Sequence, residues 1–166
     1  MNAAITFDEL LRRNEEETER WHAWFREHPD LLDLEVDLAQ MKDVRGALQH
    51  IFIVEALYVE RIQGIVREKV SLEDFPALSV DGLFAIGERA RTAFRTMLAN
   101  HSDDYWAEPV TFNTQGFGTF HSSRRKMFLQ AMTHGPWHWA QLATALRKAG
   151  HKQDWGHDFL NTKVIP

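Results

Sequence analysis

The sequence contains no cysteine, no excess of positive charge and no long apolar run. Without cysteine the chain can form neither disulfides nor thiolate zinc sites, and any thiol chemistry needs an external thiol. A formal net charge of -5 argues against binding to nucleic acid, whose phosphates attract clustered Lys and Arg. No apolar run approaches the about 18 residues that span a bilayer, and the N-terminus lacks a secretory pattern. We therefore expect a cytoplasmic protein without nucleic-acid or membrane partners.

Four stretches of the chain carry the apolar spacing of amphipathic helices. The first opens with a capping box formed by Thr6 and Glu9, and the second places an apolar arc from Val44 to Ile65. The predicted helices run from Thr6 to about Glu27, from Met41 to about Lys69, through the stripe from Leu83 to Met97 as far as about Asn100, and from Ser122 or Ser123 to Gly150.

The stretches between these helices lack helical spacing. Residues 71–79 contain Pro76 and are predicted to form a connection, whereas residues 108–123 alternate β-branched and aromatic side chains around Gly116 and Gly118, as in a short β-hairpin. Residues 151–166 are expected to form an ordered or semi-ordered tail. The length of 166 residues and the 44% hydrophobic content suit one domain. The predicted fold is therefore all-α, a four-helix bundle over residues 1–166 with a β-hairpin insertion before the last helix.

Two of the nine histidines lie one helical turn apart in the segment THGPWHWAQL. His134 and His138 would face the interior together, and Cβ atoms roughly 5 to 6 Å apart allow both imidazoles to bind one metal ion. A third ligand must come from another helix, where His22 and His50 are the mid-helix candidates. Gly135 and Pro136 both disfavour a helix at this point. We expect a kinked, locally loosened helix in which Gly135 lets a neighbouring element approach closely.

Three segments of the sequence, LQHIFIVEALYVERI, HGPWHWAQL and the ending ALRKAG with DFL, resemble the DinB-like four-helix-bundle metalloproteins, whose last helix carries His-x-x-x-His followed by x-x-Gln. The resemblance covers nearly the whole chain and implies a metal site of His50, His134 and His138, with Gly135 and Gln141 also in familiar positions. The chain departs from the family pattern at Trp139-Ala140, where Arg-Gly is common, and at Pro136. Relatives include transferases and isomerases that use low-molecular-weight thiols, and they often form homodimers.

Three neutral imidazoles leave a coordination position open for water or substrate, as catalytic metal sites do. The hypothesis is a metal-dependent enzyme with zinc or nickel, most concretely a thiol S-transferase acting on a small molecule. A hydrolase would use the same site, and a non-catalytic helical dimer with structural histidines is the alternative outside enzymes. A di-iron carboxylate site has little support, since only Glu19 and His22 show its Glu-x-x-His spacing. The sequence singles out no general base.

Other charged and aromatic residues have less specific interpretations. Glu55 and Glu60 fall away from His50 on the helical wheel and are placed on the surface. Trp21 and Trp24 could join a dimer interface, although a tryptophan stripe is more typical of a core. A basic cluster could bind an anionic substrate, but a solvated face paired with carboxylates is the favoured interpretation. Its members are Arg124, Arg125 and Lys126, to which Arg89, Arg91 and Arg95 are added.

Overall fold

The structure is a computed structural model that describes residues 5–38, 41–65, 78–114 and 118–163. In these ranges the fold is mainly α, with two short β-hairpins. The helices are α1 (Phe7–Glu27), α2 (Val44–Ile62), α3 (Val80–Asn100), the short α4 (Asp103–Ala107) and α5 (Arg124–Lys148). The strands are β1 (Glu35–Leu38), β2 (Met41–Asp43), β3 (Pro109–Thr114) and β4 (Gly118–Ser123), and 3-10 turns lie at Pro29–Asp33 and Phe159–Asn161.

The first helix begins and ends as the sequence predicts. The Thr6 hydroxyl accepts a hydrogen bond from the Glu9 backbone N–H, and the Glu9 carboxylate accepts one from the Thr6 backbone N–H. This reciprocal pairing satisfies two N–H groups that a helix start otherwise leaves free. The buried side chains of α1 include Leu11, Trp21 and Phe25. Trp21 is completely buried, so it belongs to the core and is not available for an exposed dimer interface.

The second helix starts three residues later than predicted, because Met41 belongs to a β-hairpin that the sequence pattern did not indicate. β1 and β2 pair antiparallel, with Leu38 opposite Met41. The Asp43 carboxylate then accepts a hydrogen bond of 2.7 Å from the Gly46 N–H and caps α2. Pairing with β1 thus buries Met41 in a strand, where a sequence pattern alone extends the helix.

The end of α2 also differs from the prediction. The helix stops at Ile62, and Gly64 follows with φ of +77°, a left-handed conformation that suits glycine after a helix. Ile65, expected on the inward arc, is half exposed. Lys69 and the connection predicted for residues 71–77 lie outside the described residues.

The predictions for the third helix and the later hairpin are confirmed. Leu83, Ala90 and Phe94 are buried on α3, and β3 pairs with β4 in antiparallel register from Pro109 opposite Ser123 to Thr114 opposite Gly118. Residue Gly116 of the turn lies outside the described residues. The short α4 was not predicted.

The helix that carries the His134 and His138 pair runs without interruption from Arg124 to Lys148. Ser123 caps it, and its inward stripe is buried at Met127, Phe128, Ala131, Leu142 and Leu146, whereas Ala145 of the same stripe is partly exposed. Burial of this stripe offsets the unfavourable helix propensity of Gly135 and Pro136. The helix is therefore not interrupted at Gly135 and Pro136, and the predicted kink stays a prediction.

Gly135 does not have the role that the sequence suggests. A Cβ built on Gly135 would meet the nearest atom, Glu55 Oε1, at 3.5 Å, which is an ordinary contact. A Cβ on Gly87 of α3 would lie 2.4 Å from the Phe52 ring. The close approach between helices thus occurs at Gly87, where α3 packs on α2.

This contrast predicts opposite effects of two alanine substitutions. Gly87→Ala should lower the free energy of unfolding by about 1–3 kcal/mol, because the Phe52 ring must move. Gly135→Ala is its matched control and should leave stability unchanged or raise it by up to about 1 kcal/mol, since alanine favours a helix. Urea denaturation of the two variants measures both effects, and a loss in Gly135→Ala as large as that in Gly87→Ala would contradict the close approach of α2 and α3 at Gly87.

The C-terminal tail is tied to α1 by the buried carboxylate of Glu17. This group accepts hydrogen bonds from Trp21 Nε1 at 3.0 Å and from His157 Nδ1 at 2.5 Å. Arg13 adds a hydrogen bond of 2.7 Å to the backbone carbonyl of His157. These contacts fix the tail against α1 at His157, while residues 164–166 lie outside the described part of the chain.

Candidate metal centre

Three histidines from two helices meet at one point on the face between α2 and α5. The structure brings His50, near the start of α2, next to His134 and His138, in the middle of α5, with ring centroids 5.0 and 4.7 Å from the His50 ring. One nitrogen of each ring lies within 4.8 Å of the other two. In the described part of the chain this is the one group of three or more His, Asp or Glu side chains that could hold a metal ion.

The distance between the two α5 histidines fits ligation of a common ion. His134 Nε2 and His138 Nε2 lie 3.1 Å apart. Bonds of about 2.0–2.1 Å at tetrahedral or right angles place two ligand nitrogens about 2.9–3.4 Å apart. The helical spacing of four residues, which puts both rings on one face, is sufficient to produce this arrangement.

The environment keeps the three imidazoles neutral and able to donate a lone pair. Burial lowers the pKa of all three, and the neighbouring His138 lowers the pKa of His50 and His134 further. The pKa of His134 falls to about 3. Neutral imidazole is the form that binds metal ions, so the site is in the binding form at neutral pH.

Gln141 orients the His138 ring. The His138 Nδ1–H donates a hydrogen bond of 2.8 Å to the Gln141 side-chain oxygen, which directs the lone pair of His138 Nε2 towards His134. His134 Nδ1 is buried and has no hydrogen-bond partner among the described residues. Without metal the His134 Nε2–H can donate to the His138 Nε2 lone pair, whereas ligation through Nε2 would place the His134 proton on the buried Nδ1.

The cluster is partly open to solvent. All three histidines are half-buried, and Trp137 beside them is 65% exposed, with its ring 6.0 Å from that of His138. An ion held here would be reachable by a small molecule.

The other mid-helix candidate, His22, lies elsewhere. Its Nε2 is 2.7 Å from an Asp81 oxygen, and its ring stacks on Phe84 with centroids 4.4 Å apart. Glu19, which would pair with His22 in a di-iron motif, is exposed. These contacts leave His22 with a structural role at the junction of α1 and α3.

Of the two carboxylates expected on the surface, Glu55 is misplaced by the prediction. Glu55 is 2% exposed instead of lying on the surface, and its carboxylate pairs with Arg91 Nη1 at 2.8 Å. Glu60 is partly buried. The wheel centred on the apolar arc missed Glu55 because α2 is covered on a wide arc, by α3 as well as by α5. Its partner Arg91 is 36 residues away in the sequence, so no local pattern indicates the pair.

The predicted basic cluster divides into separate roles. Arg124 donates a hydrogen bond of 2.9 Å from Nε to the Ile62 carbonyl and forms an ion pair with Glu108. The Arg125 guanidinium lies over the Phe7 ring. These contacts support the interpretation of a face paired within the protein for the two arginines.

In the described residues, none of the helices combines the length and the apolar character needed to cross a membrane.

Comparison with known proteins supports the relationship that the motifs suggest. The sequence matches none of the curated proteins with which it was compared. A sequence model of the DinB family matches residues 1–163, which is nearly the whole chain. The match includes both helices that contribute to the histidine cluster. The chain therefore belongs to the DinB family.

Proposed function

We propose that this protein is a metal-dependent enzyme in which His50, His134 and His138 hold one divalent ion, zinc or nickel. The observation that carries the proposal is the 3.1 Å separation of the two Nε2 atoms on α5, opposite a third imidazole from α2. Membership of the DinB family supports the same assignment. An ion held by three side chains keeps a position open for a further ligand.

The chemistry proposed is the transfer of a low-molecular-weight thiol to a small electrophile. A bound divalent ion would lower the pKa of a thiol towards neutrality, which supplies a nucleophile that this cysteine-free chain lacks. In the reaction the sulfur forms a bond to the electrophilic carbon, the leaving group departs with the bonding electron pair, and the thiol proton passes to solvent. The three histidines position the thiol sulfur, and their partly open face admits the electrophile.

The test is a conjugation assay with defined reagents. Metal-loaded protein is incubated with bacillithiol, mycothiol or glutathione and with 1-chloro-2,4-dinitrobenzene, and the thioether and the released chloride are quantified. We expect one of the thiols to react faster than with His134→Ala protein at the same metal concentration. Equal rates for both proteins with every thiol would contradict the proposed transferase activity.

The orientation of His138 by Gln141 gives a second prediction. Gln141→Leu should weaken metal binding by about 10- to 100-fold, because loss of the acceptor frees the His138 ring to rotate. Gln141→Glu keeps an acceptor in place and should retain the affinity. A competition titration with a chromophoric chelator measures both variants, and an unchanged affinity in Gln141→Leu would exclude this positioning role.

Two properties of the assembly are proposed with this function. We propose that α1, α2, α3 and α5 form a four-helix bundle, which the packing of α2 against α3 and α5 and of α1 against α3 supports. A homodimer, which the family resemblance suggests, should give a sedimentation mass near twice that of the 19.3 kDa chain.

A further inference from the structure

A cavity lies between the β3–β4 hairpin and the ends of α2 and α5 that face it. Its volume is about 350 Å³, at the small end of the range for small-molecule sites, about 300–1,000 Å³. Tyr58, Phe112 and Phe120 form aromatic walls, and the buried Met127 lies at the base. The Phe112 and Phe120 rings are stacked, with centroids 5.8 Å apart and an angle of 15° between their planes.

One residue that lines the cavity lies a single helical turn from the histidine cluster. Gln130, which lines it, precedes His134 by one turn of α5, roughly 6 Å along the helix axis. On α2, Tyr58 follows His50 by eight residues, which places it about 12 Å further along the helix and about 80° round its axis. The cavity therefore adjoins the histidine cluster along α5.

The charges around the cavity are of one sign. The ionisable side chains with basic character in its lining are Lys126 and His121, and no carboxylate lines it among the described residues. Lys126 makes no ion pair within the described part of the chain, unlike Arg124 of the same basic cluster. It also lies in the first turn of α5, where the helix dipole adds positive potential. An anion is thus favoured at the end of the cavity that Lys126 occupies.

We propose that this cavity binds the electrophilic substrate of the histidine site, and that this substrate is a small aromatic carboxylate. The aromatic walls take the ring, Lys126 pairs with the carboxylate, and the opposite end of the molecule points along α5 towards His134. The reacting carbon is therefore the one remote from the carboxylate. This inference rests on the proposed function for its chemistry, but the binding step depends on the cavity alone.

The binding step is tested on the full chain in the presence of a chelator, so that no metal ion contributes. Fluorine NMR titrations compare 4-fluorobenzoate with its neutral analogue 4-fluorobenzamide. We expect the acid to bind about fivefold more tightly than the amide, the effect of one partly exposed ion pair. Lys126→Gln should remove this preference, whereas Lys148→Gln, an exposed lysine at the other end of α5, should leave it unchanged.

Two further variants separate the cavity from the histidine cluster. Phe120→Ala removes a cavity wall at a side chain that is 43% exposed, and it should lower the affinity for the acid and for the amide by a similar factor. His134→Ala should bind the acid as the unchanged protein does. Equal affinity for acid and amide, no effect of Lys126→Gln, or a loss of binding in His134→Ala would each overturn the inference. A failure of the thiol assay with these titrations positive would contradict the proposed function and leave the binding site in place.

Discussion

Replacing His134 by alanine is expected to abolish stoichiometric metal binding. The His134 Nε2 lies 3.1 Å from that of His138, and its ring is 5.0 Å from that of His50, so its loss leaves only two of the three imidazoles. Loss of a hydrogen-bond partner of a ligand costs about 10- to 100-fold in affinity, and loss of the ligand itself should exceed about 100-fold.

The measurement is the metal content per chain after dialysis against a weak chelator, by elemental analysis. Wild-type protein should retain close to one ion per chain, and His134→Ala should retain a small fraction of that. His22→Ala is the matched control, because it removes another half-buried helical imidazole that stacks on Phe84 and has no contact with the cluster. Full retention of metal by His134→Ala, or an equal loss in both variants, would contradict the assignment.

Replacing Arg91 by methionine is expected to destabilise this protein strongly. The substitution keeps the apolar stem and removes the guanidinium that pairs with the buried Glu55 carboxylate at 2.8 Å. Both side chains of the pair are almost completely buried, and removing one partner of a buried ion pair costs about 3–5 kcal/mol. Arg95 lies on the same helix as Arg91 and forms a more exposed pair with Glu15 of α1. Arg95→Ala breaks this pair and should cost less than about 1 kcal/mol.

The effect of Arg91→Met should also depend on pH. Burial raises the pKa of Glu55 from 4.5 to about 7, although the charge and the hydrogen bond of Arg91 lower it. Without Arg91 the pKa in the folded state rises further. A carboxyl group with a raised folded pKa favours the folded state below its unfolded value of 4.5, and this contribution is lost as pH rises through the folded value. The destabilisation relative to wild type should therefore be larger at pH 8 than at pH 5.

Urea denaturation at both pH values, with a double variant, checks this account. Glu55→Leu/Arg91→Met replaces both charges by apolar groups and should recover most of the stability lost in Arg91→Met. Because no carboxylate remains at position 55, the pH dependence caused by Glu55 should also disappear. A double variant as unstable as Arg91→Met would mean that most of the destabilisation comes from lost packing of the Arg91 side chain against Phe52, and not from the unpaired carboxylate.

The sequence was sufficient for features that local spacing determines. The capping box at Thr6, the stripe of α3 and the pairing of His134 with His138 each depend on residues within one or two turns. The resemblance to a known family then identified His50 rather than His22 as the histidine that joins them, a choice that the residue pattern had left open.

Features that depend on partners remote in sequence could not be predicted in this way. Met41 lies in a strand because Leu38 pairs with it, and Glu55 is buried because Arg91 reaches it from α3. A helical wheel assigns an isolated carboxylate to the surface, since the cost of burying it exceeds any local gain. The aromatic cavity under the hairpin likewise forms only when the hairpin packs against α2 and α5. The sequence pattern of residues 108–123 contained Phe112 and Phe120 but did not indicate that they line a cavity.

The central claim is that three histidines from two helices hold one ion. A crystal of the zinc- or nickel-loaded protein, with data collected on both sides of the absorption edge of the metal, tests it directly. The account predicts one anomalous peak per chain, with bonds of about 2.0–2.1 Å to a nitrogen of His50, His134 and His138. A peak bound by only one of these rings, or a metal located elsewhere on the chain while the three imidazoles stay unligated, would contradict it.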